Sequence, residues 1–272
     1  MNDVFFIIGC PRSGTTAYAH ILNTASNALV HVEEPPQLRI ESRSLLMGTL
    51  DDPEATLRNA KSDRIAEVLA SGKMYGDKNP CYLPFIPLLV KLWDAKLIAL
   101  VRDGRDVVRS LIDWHELHAR NIFAMAEDEN GIPHKDPEED PWDYSRMRPL
   151  PSDPLHHEWK SMSRFCKCAW YWAAFTNAML DSISALDDGH GLVIDPARSG
   201  TDGVKTCFDF LGLQGFDETH VGQQLTARIN SLPQRSGHAD SFPSWSDWTP
   251  DQTEDFDRFA AVTMQRAEQF SK

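Results

Sequence analysis

The sequence contains no apolar run that approaches the roughly 20 residues of a membrane-spanning helix, so we predict no membrane span. Basic residues are in the minority, with 27 lysines and arginines against 40 acidic residues, and a formal charge of −13 gives no general attraction for nucleic acid. Cysteine is sparse as well: the five cysteines are odd in number and form no C-x-x-C pair. We therefore expect reduced thiols, no metal site and a cytoplasmic protein.

Apolar residues make up 42% of the 272 residues, and strand-like and helix-like patterns alternate along the chain. Strand patterns lie at 4–8, 73–80, 96–106 (where a charged turn follows the strand) and 191–195. Helix patterns follow residue 14 and recur at 53–71, 106–121, 163–186, 201–213 and 250–270. This alternation predicts a single α/β domain over residues 1–272, built on a doubly wound parallel sheet flanked by helices.

Residues 127–157 show neither a helix period nor a strand period. They contain six prolines, and residues 127–143 hold eight acidic residues against one lysine. We predict a long acidic loop or lid there, with a solvated insertion as the alternative. If the segment acts as a lid over a bound molecule, its negative charge would repel an anionic one.

The stretch IIGCPRSGTT (7–16) places a buried strand, a glycine-rich loop and a helix start in succession. Such a loop binds anions, because its N–H groups converge and the helix dipole favours negative charge. It is close to the pattern G-x-x-x-x-G-K-[ST], but Thr15 stands where the lysine would be, and the cation is Arg12. The sequence therefore predicts a phosphate loop without the lysine that reaches the β- and γ-phosphates of a nucleoside triphosphate.

A second charged stretch, VRDGRDVVRS (101–110), follows the strand predicted from residue 96. Arg102 is expected at the carboxyl end of that strand, where open α/β sheets bind ligands. Ser110 is expected about two turns into the next helix. A cation and a hydroxyl placed in this way can hold a second phosphate group, whereas the alternative is an ion-paired, solvated helix start.

Together, FFIIGCPRSGTT (5–16) and LIALVRDGRDVVRS (97–110) resemble the 5′-phosphosulfate loop and the 3′-phosphate motif of sulfotransferases that use 3′-phosphoadenosine 5′-phosphosulfate (PAPS). The P-R-S-G-T-T form is similar to the tyrosylprotein and carbohydrate branch and its bacterial relatives. GDKNP (76–80) resembles the N-K-D-P segment of tyrosylprotein sulfotransferases. The resemblance implies a P-loop NTPase-like fold and PAPS as co-substrate, whose single phosphosulfate group requires neither the lysine nor a metal.

The resemblance also assigns roles by position. It implies that the 5′-phosphosulfate is held by Arg12, Ser13, Gly14, Thr15 and Thr16. It implies that Arg102 and Ser110 hold the 3′-phosphate, and that Arg12 and Lys78 are the cations at the leaving phosphate. The adenosine pocket stays undecided, because Asp195 and Pro196 stand where the family commonly has a tyrosine–glutamate pair.

The general base is expected in HVEEPP (31–36), which resembles the E-E-T stretch that carries a glutamate base in tyrosylprotein sulfotransferases. Matching the paired acids makes Glu34 the base, and we predict Glu34. Ungapped counting from Arg12 gives Glu33 instead, and His31 is a third option because other sulfotransferases use histidine.

The predicted function is transfer of a sulfuryl group from PAPS to a hydroxyl, or less favourably an amine, by in-line displacement. The acceptor is a small molecule, a sugar or a peptide. A small P-loop kinase or NTPase is one alternative and would bind Mg²⁺-ATP. A non-catalytic nucleotide-binding module is another and would bind nucleotide without turnover.

Overall fold

The computed structural model describes residues 3–118, 122–124, 140–227 and 242–270. Within these residues five parallel strands form one sheet in the order β2–β3–β1–β4–β5. The strands are β1 (Val4–Gly9), β2 (Ala28–Val32), β3 (Met74–Lys78), β4 (Lys96–Leu100) and β5 (Gly191–Ile194). Because all five run in the same direction, their carboxyl ends meet at one edge of the sheet, where open α/β folds bind ligands.

Helices connect the strands and cover the sheet. They are α1 (Thr15–Leu22), α2 (Arg39–Leu46), α3 (Pro53–Ala70), α4 (Ile86–Trp93), α5 (Gly104–His118), α6 (Pro141–Tyr144), α7 (His156–Trp159), α8 (Arg164–Ser184), α9 (Pro196–Leu211), α10 (Glu218–Thr226) and α11 (Pro250–Phe270). Short 3₁₀ turns lie at Pro80–Phe85 and Trp245–Asp247. None of the helices in the described part of the chain combines the length and apolar character that crossing a membrane requires.

The side chains of β1 alternate between two hydrophobic clusters. Phe5 and Ile7 pack into a cluster with α1, α9 and α10, whereas Phe6 and Ile8 pack into a larger cluster with α3, α5, α8 and α11. Successive residues of a strand point to opposite faces, so helices cover both faces of the sheet. The predicted doubly wound α/β fold is therefore confirmed.

The four predicted strands are present as β1, β3, β4 and β5, but β2 was not expected. Helices α2, α4 and α10 were also not expected from the sequence. For α2 the reason is physical: its buried positions are the polar Ser42 and Arg43, so it carries no apolar stripe. Five buried cysteines are present as free thiols, as predicted.

The proline-rich segment 127–157 is described only from residue 140 onward, and its earlier part lies outside the described residues. From residue 140 the chain forms α6 and enters α7, where a continuous loop was expected. Asp143, Arg146 and Arg148 are buried there. This part of the segment is packed against the domain, because α6 contacts α2.

Candidate functional site

The loop after β1 presents the start of α1 to a cavity of about 860 Å³. A Cβ at Gly9 would lie 2.7 Å from Thr15 Cγ2 and 2.8 Å from the Leu100 carbonyl oxygen, so strand and helix approach closely only with glycine there. Gly14 precedes α1 with φ 91° and has no side chain to cap the helix, whose first turn holds no acidic residue. The N–H groups at the start of α1 are thus available to an anion.

The cavity collects almost all of the predicted site residues. Those that line it are Arg12, Ser13, Gly14, Thr15, Thr16, Lys78, Arg102 and Ser110. The predicted base, Glu34, is not among the described residues that line the cavity, whereas the neighbouring Glu33 is. Residues far apart in the sequence therefore converge on one site. Of the two adjacent acids, only Glu33 belongs to the described lining of that site.

Arg12 joins the two predicted phosphate motifs. Its Nε donates a hydrogen bond to Ser110 Oγ at 2.9 Å, and its guanidinium lies 4.3 Å from the Trp114 ring centroid. Burial, followed by the charge of Arg102, lowers the pKa of Arg12 to about 10. Two guanidinium groups held this close create a positive site that a bound oxyanion would stabilise.

Arg102 lies two residues after the end of β4, at the carboxyl edge of the sheet, as predicted. One of its nitrogens donates to the Arg12 carbonyl oxygen at 3.3 Å, and another pairs with Asp106 at 3.0 Å. The nearby Arg105 takes a different direction: it pairs with Asp103 at 2.5 Å and lies 4.1 Å from the Trp245 ring centroid. Only the first of these two arginines lines the cavity.

Glu33 and Lys78 meet where the adjacent strands β2 and β3 end. Lys78 Nζ donates to Glu33 Oε1 at 2.6 Å, and Arg39 pairs with Glu33 Oε2 at 3.2 Å. The Glu33 N–H also donates to the Lys78 carbonyl oxygen at 2.8 Å, which extends the strand pairing by one bond. A carboxylate and a cation are thereby fixed at one wall of the cavity.

Glu34 and His31 lie together on the other side of this chain segment. Glu34 pairs with Arg64 at 2.8 Å, and its second oxygen is 3.3 Å from His31 Nδ1 and 3.4 Å from the Tyr75 hydroxyl. Burial lowers the pKa of His31, although the neighbouring Glu34 carboxylate opposes this effect. Neither side chain is among the described residues that line the cavity.

A buried ion pair between Lys61 and Asp77 lies next to Glu34. Lys61 Nζ lies 3.6 Å from Asp77 Oδ2 and donates to the Glu34 carbonyl oxygen at 2.6 Å. The Tyr82 hydroxyl donates to the same Asp77 oxygen at 2.5 Å. Burial raises the pKa of Asp77, and the Lys61 charge acts against that rise. The sequence analysis missed this cluster, although Asp77 directly precedes Lys78 in GDKNP.

The described part of the proline-rich segment forms another wall of the cavity. Trp142 lines the cavity, and the Arg39 guanidinium lies 3.4 Å from its ring centroid. Arg39 therefore links this wall to Glu33. Arg146 also lines the cavity. No motif in the sequence pointed to Arg39, Trp142 or Arg146.

At the opposite end the cavity is lined by Tyr18, Pro196, Ala197 and Leu225. These residues come from α1, α9 and α10, on one face of the sheet. Asp195, which the sequence left without a role, caps α9 by accepting a hydrogen bond from the Ala197 N–H at 2.9 Å. The apolar residues at this end are candidates for the undecided adenosine pocket.

Residues 4–128, which supply the phosphate loop, β1–β4 and the second motif, match the model of the sulfotransferase family. The match covers less than half of the chain. No curated protein matches the sequence.

Solved structures of three sulfotransferases are similar to this chain in fold. A sulfotransferase from Alicyclobacillus acidocaldarius is 18% identical, with a TM-score of 0.50 over 97% of this chain and 94% of that chain. The sulfotransferase domain of the Synechococcus PCC 7002 olefin synthase is 17% identical, with a TM-score of 0.50 over 98% and 94% of the two chains. Mouse sulfotransferase SULT7A1 complexed with PAP is 15% identical, with a TM-score of 0.53 over 100% and 90%. At these identities the likeness concerns the fold.

Proposed function

We propose that the protein is a PAPS-dependent sulfotransferase that moves a sulfuryl group to an acceptor hydroxyl. The observation that carries this proposal is the convergence of two anion-binding motifs on one cavity, joined by the 2.9 Å hydrogen bond from Arg12 to Ser110. A nucleotide with separate 5′ and 3′ phosphate groups suits that arrangement. The PAP complex of mouse SULT7A1, a structure with the same fold, supports the same ligand class.

The residues of the phosphate loop fit a 5′-phosphosulfate. Gly14, Thr15 and Thr16 offer N–H groups at a helix N-terminus, where a negative charge is stabilised. Ser13 lines the same part of the cavity. Arg102 and Ser110 are the proposed partners of the 3′-phosphate, and the Ser110 hydroxyl accepts a hydrogen bond from Arg12 Nε. We propose that Arg12 turns to the 5′ side when nucleotide binds.

For the transfer step, we propose that a carboxylate takes the acceptor proton while cations stabilise charge on the leaving phosphate oxygen. Lys78 and Arg12 are the cations in this scheme. The acceptor oxygen forms the new bond to sulfur as the bond from sulfur to the 5′-phosphate oxygen breaks. The chain thus contributes mainly positioning and charge, as in phosphoryl transfer.

The geometry supports Glu33 as the base better than the Glu34 expected from the sequence. Glu33 lines the cavity beside Lys78, whereas Glu34 and His31 are engaged with each other and with Arg64. Glu33 follows β2 with φ 55°, so the chain turns at this residue, and of the two acids only Glu33 belongs to the described lining of the cavity. We therefore transfer the proposed role from Glu34 to Glu33.

A thermal-shift experiment tests the proposal with 3′-phosphoadenosine 5′-phosphate (PAP) and, separately, with Mg²⁺-ATP. We expect PAP to raise the melting temperature without added metal, because a ligand that binds only the folded state stabilises it. Stabilisation by Mg²⁺-ATP alone would indicate a kinase or NTPase. Labelled PAPS with hydroxyl and amine acceptors then separates an enzyme from a binding module, because only the enzyme labels an acceptor.

A further inference from the structure

Part of the cavity lining is apolar and forms a wall that contains no phosphate-loop residue. We define it by six lining residues, which are Leu46, Leu83, Trp142, Met147, Tyr171 and Phe175. Arg146, which directly precedes Met147 in the chain, also lines the cavity. We infer that the apolar wall and Arg146 bind the acceptor, and that the acceptor is an amphiphilic hydroxy acid with an apolar body and a carboxylate or similar oxyanion. This inference rests on the proposed function.

The cavity-lining charges favour this assignment. Of the described residues that line the cavity, the cations are Arg12, Lys78, Arg102, Arg109 and Arg146, and the acid is Glu33. The first four come from the phosphate loop, the end of β3 and the stretch 102–109, the part of the cavity assigned to the nucleotide and the transfer step. Arg146 comes from the segment that follows α6. It has no role in holding the nucleotide and is left to bind the acceptor.

Arg146 lines the cavity, and its contacts within the described part of the protein leave one of its donors without a partner. Its side chain is 10% exposed, and one terminal nitrogen pairs with Asp143 Oδ1 at 3.0 Å. Its Nε is buried and finds no hydrogen-bond partner among the described residues. A buried donor without a partner is costly, and an oxyanion in the cavity would supply the missing charge-assisted bonds.

Arg148 lies in the same cluster as Arg146 but has a structural role only. It pairs with the other oxygen of Asp143 at 3.3 Å and donates to the carbonyl oxygens of Asp143 and Arg146 at 2.8 and 3.1 Å. It does not belong to the described lining of the cavity. The two arginines therefore share one carboxylate, but only Arg146 reaches the ligand space.

The acids near this wall are turned away from the cavity. Asp140 caps α6 by accepting a hydrogen bond from the Asp143 N–H, and Asp143 is fully buried between the two arginines. Neither is in the described lining. The repulsion of anionic acceptors expected from the acidic segment thus does not arise from these two residues, and residues 125–139 lie outside the described part.

The experiment measures binding of matched probes to the PAP-loaded protein by calorimetry. The probes are 3-(4-hydroxyphenyl)propionate and 10-hydroxydecanoate, each compared with its neutral primary amide. A charge-assisted bond to Arg146 should make at least one acid bind about tenfold or more tightly than its amide. In the Arg146→Gln variant this preference should fall to within about twofold.

Two further variants separate ligand binding from folding. Arg146→Lys keeps a cation at the cavity and should retain an acid preference. Arg148→Gln weakens the same Asp143 pairing from outside the cavity, so it should lower stability and keep the preference. PAP binding to each variant reports that the nucleotide end is intact.

The outcomes distinguish this inference from the proposed function. If PAP does not bind the wild-type protein, the proposed function fails and the acceptor assignment fails with it. If PAP binds but neither acid outcompetes its amide about tenfold, or if the preference survives in Arg146→Gln, the acceptor assignment alone is overturned.

Discussion

Lys78 Nζ and Glu33 Oε1 are 2.6 Å apart, at the point where the parallel strands β2 and β3 end side by side. The two side chains are 7% and 13% exposed, so both are held in place and yet reach the cavity. In the proposed reaction, this pair would supply a proton acceptor and a cation to the same centre. The proposed chemistry depends on it more than on the phosphate loop, which by itself only binds an anion.

Exchange of Glu33 for glutamine should lower kcat strongly. Loss of a general base typically costs 10²- to 10⁴-fold, so we expect a decrease of about 100-fold or more in Glu33→Gln. Steady-state rates of labelled sulfuryl transfer measure the effect. PAP affinity should remain close to wild type, because Glu33 is not a proposed nucleotide ligand.

Glu34→Gln is the matched control for this change. It alters the neighbouring acid, whose partners are Arg64 and His31, and we expect kcat to stay within a few-fold of wild type. A large loss of kcat in Glu34→Gln with little loss in Glu33→Gln would restore Glu34 as the base.

Arg102→Ala should weaken binding of PAP and leave binding of AMP nearly unchanged, because AMP lacks the 3′-phosphate. Removing a charge-assisted contact should reduce PAP affinity about 10- to 100-fold, as measured by calorimetry with each nucleotide. Arg105→Ala is the control, since this side chain pairs with Asp103 and lies over Trp245. Equal losses for PAP and AMP in Arg102→Ala would argue against the 3′-phosphate assignment.

His31 should make stability depend on pH. Burial lowers its pKa below the usual value of about 6.5, so under mildly acidic conditions the unfolded chain binds more protons than the native protein. Stability should therefore rise with pH across the window below about 6.5 and be lost as the pH falls. Urea unfolding of wild type and His31→Gln at several pH values measures this, with a shallower slope expected in the variant.

The same His31→Gln variant tests histidine as the base. Because His31 is not in the described cavity lining, the pH profile of kcat should not change. If stability depended on pH equally in wild type and variant, the effect of burial on His31 would be contradicted. If the variant lost one pH-dependent arm of the kcat profile, the assignment of Glu33 as the base would be contradicted.

The buried pair of Lys61 and Asp77 should stabilise the carboxyl edge of the sheet. Removing one partner of a buried ion pair leaves an uncompensated charge, so Lys61→Met or Asp77→Asn should each cost about 3–5 kcal/mol of unfolding free energy. The double variant should cost less than the sum of the two, because the partners are coupled. Denaturant unfolding measures these energies. As a control, Arg58→Ala removes a more exposed pair with Glu54, and its unfolding free energy should stay near that of wild type. Strictly additive losses of unfolding free energy at the buried pair would contradict direct coupling.

Local patterns were sufficient to predict much of this fold. The apolar run of β1 and the glycines of its loop identify the phosphate site, because only that succession places N–H groups at a helix start. The spacing of Arg102 and Ser110 across a strand end and a helix predicted that they would lie together, and both line the same cavity as the phosphate loop. These features depend on residues that are close together in the sequence.

The choice between Glu33 and Glu34 depends on orientation, which spacing alone does not determine. β2 (residues 28–32) is a short, partly buried strand that the sequence did not predict. Without this strand, the side to which each acid points could not be predicted. Arg146 was missed for a similar reason. The position of Arg146 depends on the packing of α6 on α2. Neither helix has regularly spaced apolar residues from which this packing could be predicted.

The most direct test of sulfuryl transfer is mass spectrometry of an acceptor library incubated with PAPS and the wild-type protein, or with Arg12→Ala. We predict acceptor products that gain one SO₃ group, together with an equal amount of PAP, and no detectable product with Arg12→Ala. Product formed equally well by Arg12→Ala, or PAP binding with no acceptor sulfated, would contradict the proposed transfer.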